Sequence, residues 1–314
     1  MEHNKVENVV IIGSGPSGLT AGIYASRAEL NPLIIDGGEP GGQLMGTTSV
    51  ENWPGNITIL GPTLMKNIRD QAAHFGSRFL SEIVTDIDTS QKPFEITTDK
   101  GNKIKAHTVI ISTGASPKKL GCPGEKEYWG KGITTCAICD GAFYRDKKVI
   151  ILGGGDSAME NASFLYKFTK DVTLVHIGDR LTASVPMQKR VLENPDITVI
   201  YNNTITKFKG DGNHITEVEL TDQKTHKTQI MPVDGVFISI GLNPNTDFVK
   251  GKIDLDSYGY IDIKGPKNHT KTSVDGIFAA GDVMDPVYRQ AITSAGSGCM
   301  AALDAERYLE KMEL

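Results

Sequence analysis

Long apolar runs are missing from this sequence. No stretch of its 314 residues approaches the roughly 18 apolar residues that a membrane-spanning helix requires. The polar opening MEHNKVEN has neither the basic nor the apolar region of a secretory signal, so a cytoplasmic location is the expectation. Positive charge is also in short supply. Thirty-three Lys and Arg stand against 38 Asp and Glu, a formal net charge of -5 with the signs interspersed, which argues against nucleic acid or an anionic membrane as partner, since neutralising phosphates takes clustered cations. Cysteine is scarce, with four residues at 122, 136, 139 and 299 and one close pair among them. In a reducing compartment such a pair points to catalysis or metal binding rather than to a structural staple.

Glycine, by contrast, is plentiful at 34 residues, and its placement carries the argument. The β-branched run Val9 to Ile12 leads directly into Gly13-Ser14-Gly15-Pro16-Ser17-Gly18, then into a helical stretch from Leu19 to Ala28 and a second strand, Leu33 to Ile35, that ends at Asp36. This is a βαβ start with GxGxxG at its first turn and an acid 18 positions after the last glycine. Gly13 permits the tight turn, Gly15 lets a pyrophosphate approach the backbone, and Gly18 lets helix and strand pack closely. The helix N-terminus supplies N–H donors, and Asp36 is placed to hold a ribose diol.

The design recurs. Val149 to Leu152 leads into Gly153-Gly154-Gly155-Asp156-Ser157-Ala158, a helix follows to about Phe168, and Val172 to Val175 ends at His176, again 18 positions on. One such motif is weak evidence, but two at equal spacing make a pair of dinucleotide-binding domains the expectation. Val109 to Ser112 before Thr113-Gly114, and Val236 to Ile240 before Gly241, read as closing strands of the two domains. A last strand, Gly276 to Ala280, stops at Gly281-Asp282 before a small-residue helix from about Arg289, a place for a ribityl chain and phosphate or simply a capped helix start.

Cys136 and Cys139 are spaced to share one edge of a helix start and close a small disulfide ring. Asp140 beside them suits general acid/base work on the sulfur protons, or serves as an N-cap. Half of a zinc site is a rival reading, but the seven histidines are scattered and offer no second ligand pair. Cys122 and Cys299 read as small buried hydrophobes.

Together, the glycine loops, Gly41-Gly42-Gln43-Leu44, Glu51-Asn52-Trp53-Pro54-Gly55, Cys136-Ala137-Ile138-Cys139-Asp140-Gly141, and the stretch from Gly281 through Tyr288-Arg289-Gln290-Ala291 resemble the low-molecular-weight bacterial thioredoxin reductases across essentially the whole chain. The resemblance implies an α/β chain of two Rossmann-like, three-layer ββα dinucleotide-binding domains, the second inserted in the first. Residues 1–116 and 247–314 would form the FAD-binding domain, and 117–246 an inserted NAD(P)H-type domain carrying the CxxC. It places Gly13, Gly15, Pro16, Ser17, Gly18, Asp36, Gly42, Gln43, Thr47, Asn52, Thr113, Gly114, Gly281, Asp282, Arg289, Gln290 and Ala291 against FAD. Gly153, Gly155, Asp156, Ser157 and Ala158 would take the nicotinamide dinucleotide. Cys139 would receive the flavin's electrons and Cys136 would attack the disulfide of thioredoxin, in a homodimer whose domains swing about connectors near Ser116 and Asn245. Phe143 and Tyr144 would pack against the partner or in the core.

One loop departs from that pattern. NADPH-dependent relatives carry His-Arg-Arg and a further Arg after the second strand, where this chain reads His176-Ile177-Gly178-Asp179-Arg180-Leu181-Thr182. One arginine beside a carboxylate is a poor clamp for a 2′-phosphate, so the electron donor stays open between NADPH, NADH and reduced ferredoxin. The partner stays open between thioredoxin and another small dithiol carrier. A redox-sensing dinucleotide-binding protein is the reading outside enzymology.

Overall fold

The computed structural model describes residues 6–47, 50–263 and 270–313. The chain divides into two compact units, Met1–Ser116 with Asn243–Leu314, and Pro117–Leu242. The two crossings between them pair as a short ribbon, Ala115–Pro117 with Leu242–Pro244.

In the first unit the strand Val6–Ile12 is flanked by Leu33–Ile35 on one side and Lys103–Ile111 on the other, all parallel. Arg78–Leu80 extends the sheet beyond Leu33–Ile35, and Ile277–Ala279 pairs with the C-terminal half of Lys103–Ile111. The N-terminal half of that same strand pairs antiparallel with Phe94–Thr98, which pairs in turn with Val84–Asp88. One long strand thus belongs to two layers. Alternation along the central strand shows why the run is apolar throughout: Val9 and Ile11 pack among Leu19, Ile68 and Ala301 of the helices, while Val10 and Ile12 pack among Ile87, Phe94 and Ile96 of the antiparallel layer. From Val9 to Ile12 the strand is covered on both faces, which favours apolar side chains at each of those positions.

The second unit repeats the plan. Its parallel sheet runs in the order Ile197–Ile200, Val172–Val175, Val149–Leu152, Gly235–Ile238, Ile133–Thr134. Val149 and Ile151 face Ala158, Met159 and Leu165 of the helix Asp156–Leu165, whereas Ile150 and Leu152 face Ile205, Val218 and Leu220 of a three-stranded antiparallel sheet. This is the three-layer ββα architecture expected from the sequence. In both units the strand entering the glycine loop lies mid-sheet, with parallel neighbours on both sides, so the loop emerges at the carboxyl end where ligands of such sheets bind.

Candidate active site

The redox pair follows directly from the edge strand Ile133–Thr134. Cys136, in extended conformation, is the N-cap of the four-residue helix Ala137–Asp140, and the helical turn brings Cys139 back to it as a disulfide with the two Cα atoms 5.3 Å apart. Ala137, fully buried among Ala158 and Met159, anchors the turn to the core. The Cys139 N–H donates to Cys136 Sγ at 3.2 Å, and the Asp140 N–H to the Cys136 carbonyl at 3.1 Å. Asp140 Oδ2 accepts a short hydrogen bond from the Thr134 hydroxyl, whose oxygen accepts from the Cys136 N–H at 3.3 Å. Burial pushes the Asp140 carboxyl above the ordinary carboxylate range, and the Thr134 hydrogen bond pulls it partly back. The next aromatic pair splits. Phe143 stays substantially exposed, but Tyr144 packs edge-on to the core residue Phe237 with ring centroids 5.1 Å apart, and burial pushes its phenol up to about 12.

At the first glycine loop each glycine has a distinct reason. Gly13 sits at φ +106°, and a Cβ there would lie 2.4 Å from the Ser112 carbonyl oxygen. A Cβ on Gly18 would lie 2.0 Å from the Gly13 carbonyl oxygen. At Gly15 a Cβ would meet nothing within 4 Å, whereas a Cβ added to Gly42 would lie 3.5 Å from the Gly15 Cα. Gly15 is also the N-cap of the helix Pro16–Arg27, with Pro16 in its first turn and no side chain capping its N–H groups. Those donors have no capping side chain from Gly15, as an anion site requires.

Other expected residues gather in pairs. Gln43 Nε2 donates to the Ala115 carbonyl, Asn52 Nδ2 donates to Gln290 Oε1 at 3.3 Å, and Thr113 Oγ1 to the Asn245 carbonyl at 2.8 Å. Thr47 ends the 3-10 turn Gly42–Gly46, and Gly114 takes φ +68°. Gly281 lies over Ser17, close enough that a Cβ would meet its hydroxyl. Asp282 accepts from Ser294 Oγ at 2.9 Å, with its carboxyl raised by burial. Gln290 caps the helix Ala291–Glu310, and Arg289 before it is held at φ +51°.

Asp36 has a partner the sequence did not announce. Its carboxylate accepts from Arg69 Nη1 at 2.5 Å and Nη2 at 3.0 Å and from Ser81 Oγ at 3.3 Å, and the Arg69 guanidinium lies 3.9 Å from the Phe79 ring centroid. The signal available was a cation beside the apolar stripe Leu64, Met65, Ile68, Ala72 of the helix Gly61–His74, although nothing in the sequence links it to Asp36.

In the second unit Gly153 stands at φ +151°, where a Cβ would lie 2.3 Å from the Ser239 carbonyl oxygen. The nearest atom to a Cβ on Gly155 is Thr182 Oγ1 at 3.8 Å, so its approach is open as well. Thr182 and Ala183 donate their N–H groups to the Gly154 carbonyl, and Asp156 Oδ1 accepts from the Ser184 N–H and hydroxyl at 2.7 and 2.9 Å. Ser157 and Ala158 belong to the helix Asp156–Leu165 that this loop begins, and Ala158 is buried. The buried His176 ring lies against Gly154 and Gly178, while Ile177, Asp179 and Arg180 are exposed. Among the described residues no three His, Cys, Asp or Glu side chains converge to hold a metal ion.

A chain with two glycine cradles and a disulfide matches a known family, whose sequence model, pyridine nucleotide-disulphide oxidoreductase, covers residues 7–298. The chain belongs to that family. Within it, the likeness is to thioredoxin reductases. That of Chlamydia pneumoniae is 48% identical over 309 residues, 96% of this chain and 98% of the relative. That of Streptomyces clavuligerus is 46% identical over 306 residues, 97% and 94% of the two chains. The solved thioredoxin reductase from Giardia duodenalis superposes with a TM-score of 0.92 at 44% identity, over 98% of this chain and 100% of that one.

Membership of the pyridine nucleotide-disulphide oxidoreductases implies FAD and a nicotinamide dinucleotide. The residues present fit FAD: a Cβ at Gly15 would enter open space over uncapped helix N–H groups, which is the room a pyrophosphate needs. The oxidoreductase family's second cradle, at Gly155, is open in the same sense.

Proposed function

We propose that the chain is a thioredoxin-disulfide reductase that uses FAD and a nicotinamide dinucleotide, without selecting for a 2′-phosphate. The observation that carries this reading is the Cys136–Cys139 disulfide at a helix start, with one raised acid, Asp140, on the same turn. FAD would be held by the cradle of Gly13, Gly15, Gly18 and Gly42 and by the segments around Gln43, Asn52, Asp282 and Gln290. When bound, it supplies the electron pair that opens the disulfide.

The chain's own groups do the rest. The Cys139 N–H aimed at Cys136 Sγ favours negative charge on that sulfur, which makes Cys136 the interchange thiolate. It attacks one sulfur of the partner's disulfide, that S–S bond breaks, and a mixed disulfide forms. The departing thiolate takes the proton of Asp140, which burial keeps protonated to a higher pH than an exposed aspartate. The Cys139 thiol then gives its proton to the Asp140 carboxylate and attacks Cys136 Sγ as the thiolate; the second partner sulfur leaves and takes that proton from Asp140, and the Cys136–Cys139 bond re-forms. Two electrons and two protons pass to the partner. Phe143, exposed one helical turn beyond Cys139, is available to touch that partner.

The donor loop supports weak discrimination. Of the residues that follow the strand Val172–Val175, Ile177 offers no charge and Arg180 stands next to Asp179, so a 2′-phosphate gains little over a free ribose hydroxyl. A homodimer in the cytoplasm is part of the same reading; among the described residues no helix is long and apolar enough to cross a membrane. The test is anaerobic titration of the purified yellow protein with NADPH, NADH and reduced ferredoxin, followed by addition of oxidised thioredoxin. Bleaching by both nicotinamides, with thiols then appearing on thioredoxin, is expected. Bleaching by ferredoxin alone would remove the donor assignment. A reduced flavin that leaves thioredoxin oxidised would remove the reductase reading.

A further inference from the structure

The acid beside the disulfide does not stand alone. Thr134 Oγ1 donates to Asp140 Oδ2 and accepts from the Cys136 N–H, so one hydroxyl ties the carboxyl to the backbone of the interchange sulfur. Thr134 ends the edge strand Ile133–Thr134, whose neighbour Ile133 is fully buried and pairs with Val236 of the next strand. The hydroxyl is therefore held by the sheet, independently of the helix that carries Asp140.

The surroundings leave that hydroxyl in charge of the carboxyl. Cys136 and Cys139 flank Asp140 on its own turn. The helix Asp156–Leu165 presents Phe164 and Leu165 to the neighbouring Gly141, and Phe168 lies beyond them. Tyr144 on the following turn is the titratable group nearest in sequence on that side, and it stays neutral; Asp234 acts on Tyr144 rather than on Asp140, and Lys147 lies over the Tyr144 ring at 5.7 Å. Among the described residues no cation counters the rise in proton affinity that burial causes at Asp140. The Thr134 hydrogen bond to the ionised form does so.

We propose that Thr134 is a positioning residue for disulfide exchange, orienting the Asp140 carboxyl toward the sulfurs and setting how readily it gives up its proton. The idea rests on the proposed acid role of Asp140. A general acid must hold a proton and also release it. Without the hydroxyl, burial alone would leave Asp140 a reluctant donor, and the carboxyl would lose its fixed rotamer.

The experiment is the pH profile of thioredoxin reduction in holoenzyme carrying Thr134→Val, Thr134→Ser or Asp140→Asn. Far-ultraviolet circular dichroism and bound flavin content confirm the fold of each. In Thr134→Val the limb at which activity falls with rising pH should move to higher pH, and the plateau rate should drop about tenfold, the worth of one hydrogen bond to a charged group. Thr134→Ser should restore both, and Asp140→Asn should abolish the limb. A Thr134→Val profile that is merely scaled, with the limb in place, would overturn the positioning role while leaving the acid assignment intact. A limb that survives in Asp140→Asn would overturn the acid assignment itself.

Discussion

Arg69 grips Asp36 through both carboxylate oxygens, from a helix that begins 25 residues further along the chain. Asp36 is buried to within a few per cent and Arg69 about one-third exposed, so the pair is neither a surface bridge nor a fully interior one. Its geometry explains how an acid at the end of the second strand is fixed in direction. Arg69→Ala should strand a buried carboxylate with Ser81 as its remaining side-chain donor. A loss of about 2–3 kcal/mol is expected, somewhat below the cost of breaking a fully buried pair because Arg69 is partly solvated. Urea unfolding of the apoprotein measures it, and a change within experimental scatter would mean that Asp36 does not depend on Arg69.

The glycine loop separates folding from binding. Gly13→Ala forces a side chain into positive φ with a Cβ 2.4 Å from the Ser112 carbonyl oxygen, so both backbone and strand must move; poor expression or a loss of several kcal/mol is expected. Gly15→Ala meets nothing within 4 Å and keeps φ at an ordinary -70°. Its apoprotein should unfold at the wild-type urea concentration, while its flavin content after purification falls at least tenfold, because the methyl group occupies the cradle. A Gly15→Ala protein that retains full flavin would place the cofactor elsewhere.

The two glycine loops were legible because their demands are local. Gly13 and Gly153 need positive φ, four apolar residues lead into each loop, and the residues that matter lie within one βαβ unit. The closing strands were legible for the same reason. The antiparallel layers were less so. Thr228–Pro232 is almost wholly exposed and shows no clean alternation, and the two-residue strand Ile133–Thr134 is too short to leave a pattern. Arg69 and Thr134 were missed because their importance is tertiary. Thr134 is significant only once the helical turn swings Asp140 back onto it, and Arg69 only once the helix Gly61–His74 packs beside Asp36. The Tyr144 and Phe143 pair shows the limit from the other side, since two adjacent aromatics of equal promise divide between core and solvent.

Thiol chemistry should follow burial and hydrogen bonding. Burial, with Glu125 adding to it, pushes the Cys122 thiol up to about 11, so it carries almost no thiolate at pH 8. Alkylation of the reduced, folded enzyme at pH 8 should label Cys136 first and Cys122 far more slowly, read by peptide mass spectrometry. Cys136→Ser should leave the flavin reducible yet stop thioredoxin turnover, because the attacking sulfur is gone. Turnover that survives in Cys136→Ser would exchange the roles assigned to the two sulfurs.

Asp140 should cost the protein stability in return for chemistry. Its folded carboxyl is raised above the ordinary 3.8 because burial penalises the ionised form. At a pH below that ordinary value both folded and unfolded chains carry the proton, and the group is neutral to stability. As pH rises through the interval between the unfolded and the folded value, the unfolded chain releases its proton first, so stability falls, and the deficit is complete above the folded value. Asp140→Asn removes the ionisable group while its amide oxygen can still accept from Thr134. The variant should therefore unfold at higher urea than wild type at pH 7, with the difference shrinking as the pH is lowered through 3.8 and vanishing below it, and it should reduce thioredoxin at least a hundredfold more slowly. Equal midpoints at pH 7 would mean that Asp140 is solvated in the folded protein and that no proton is stored beside the disulfide.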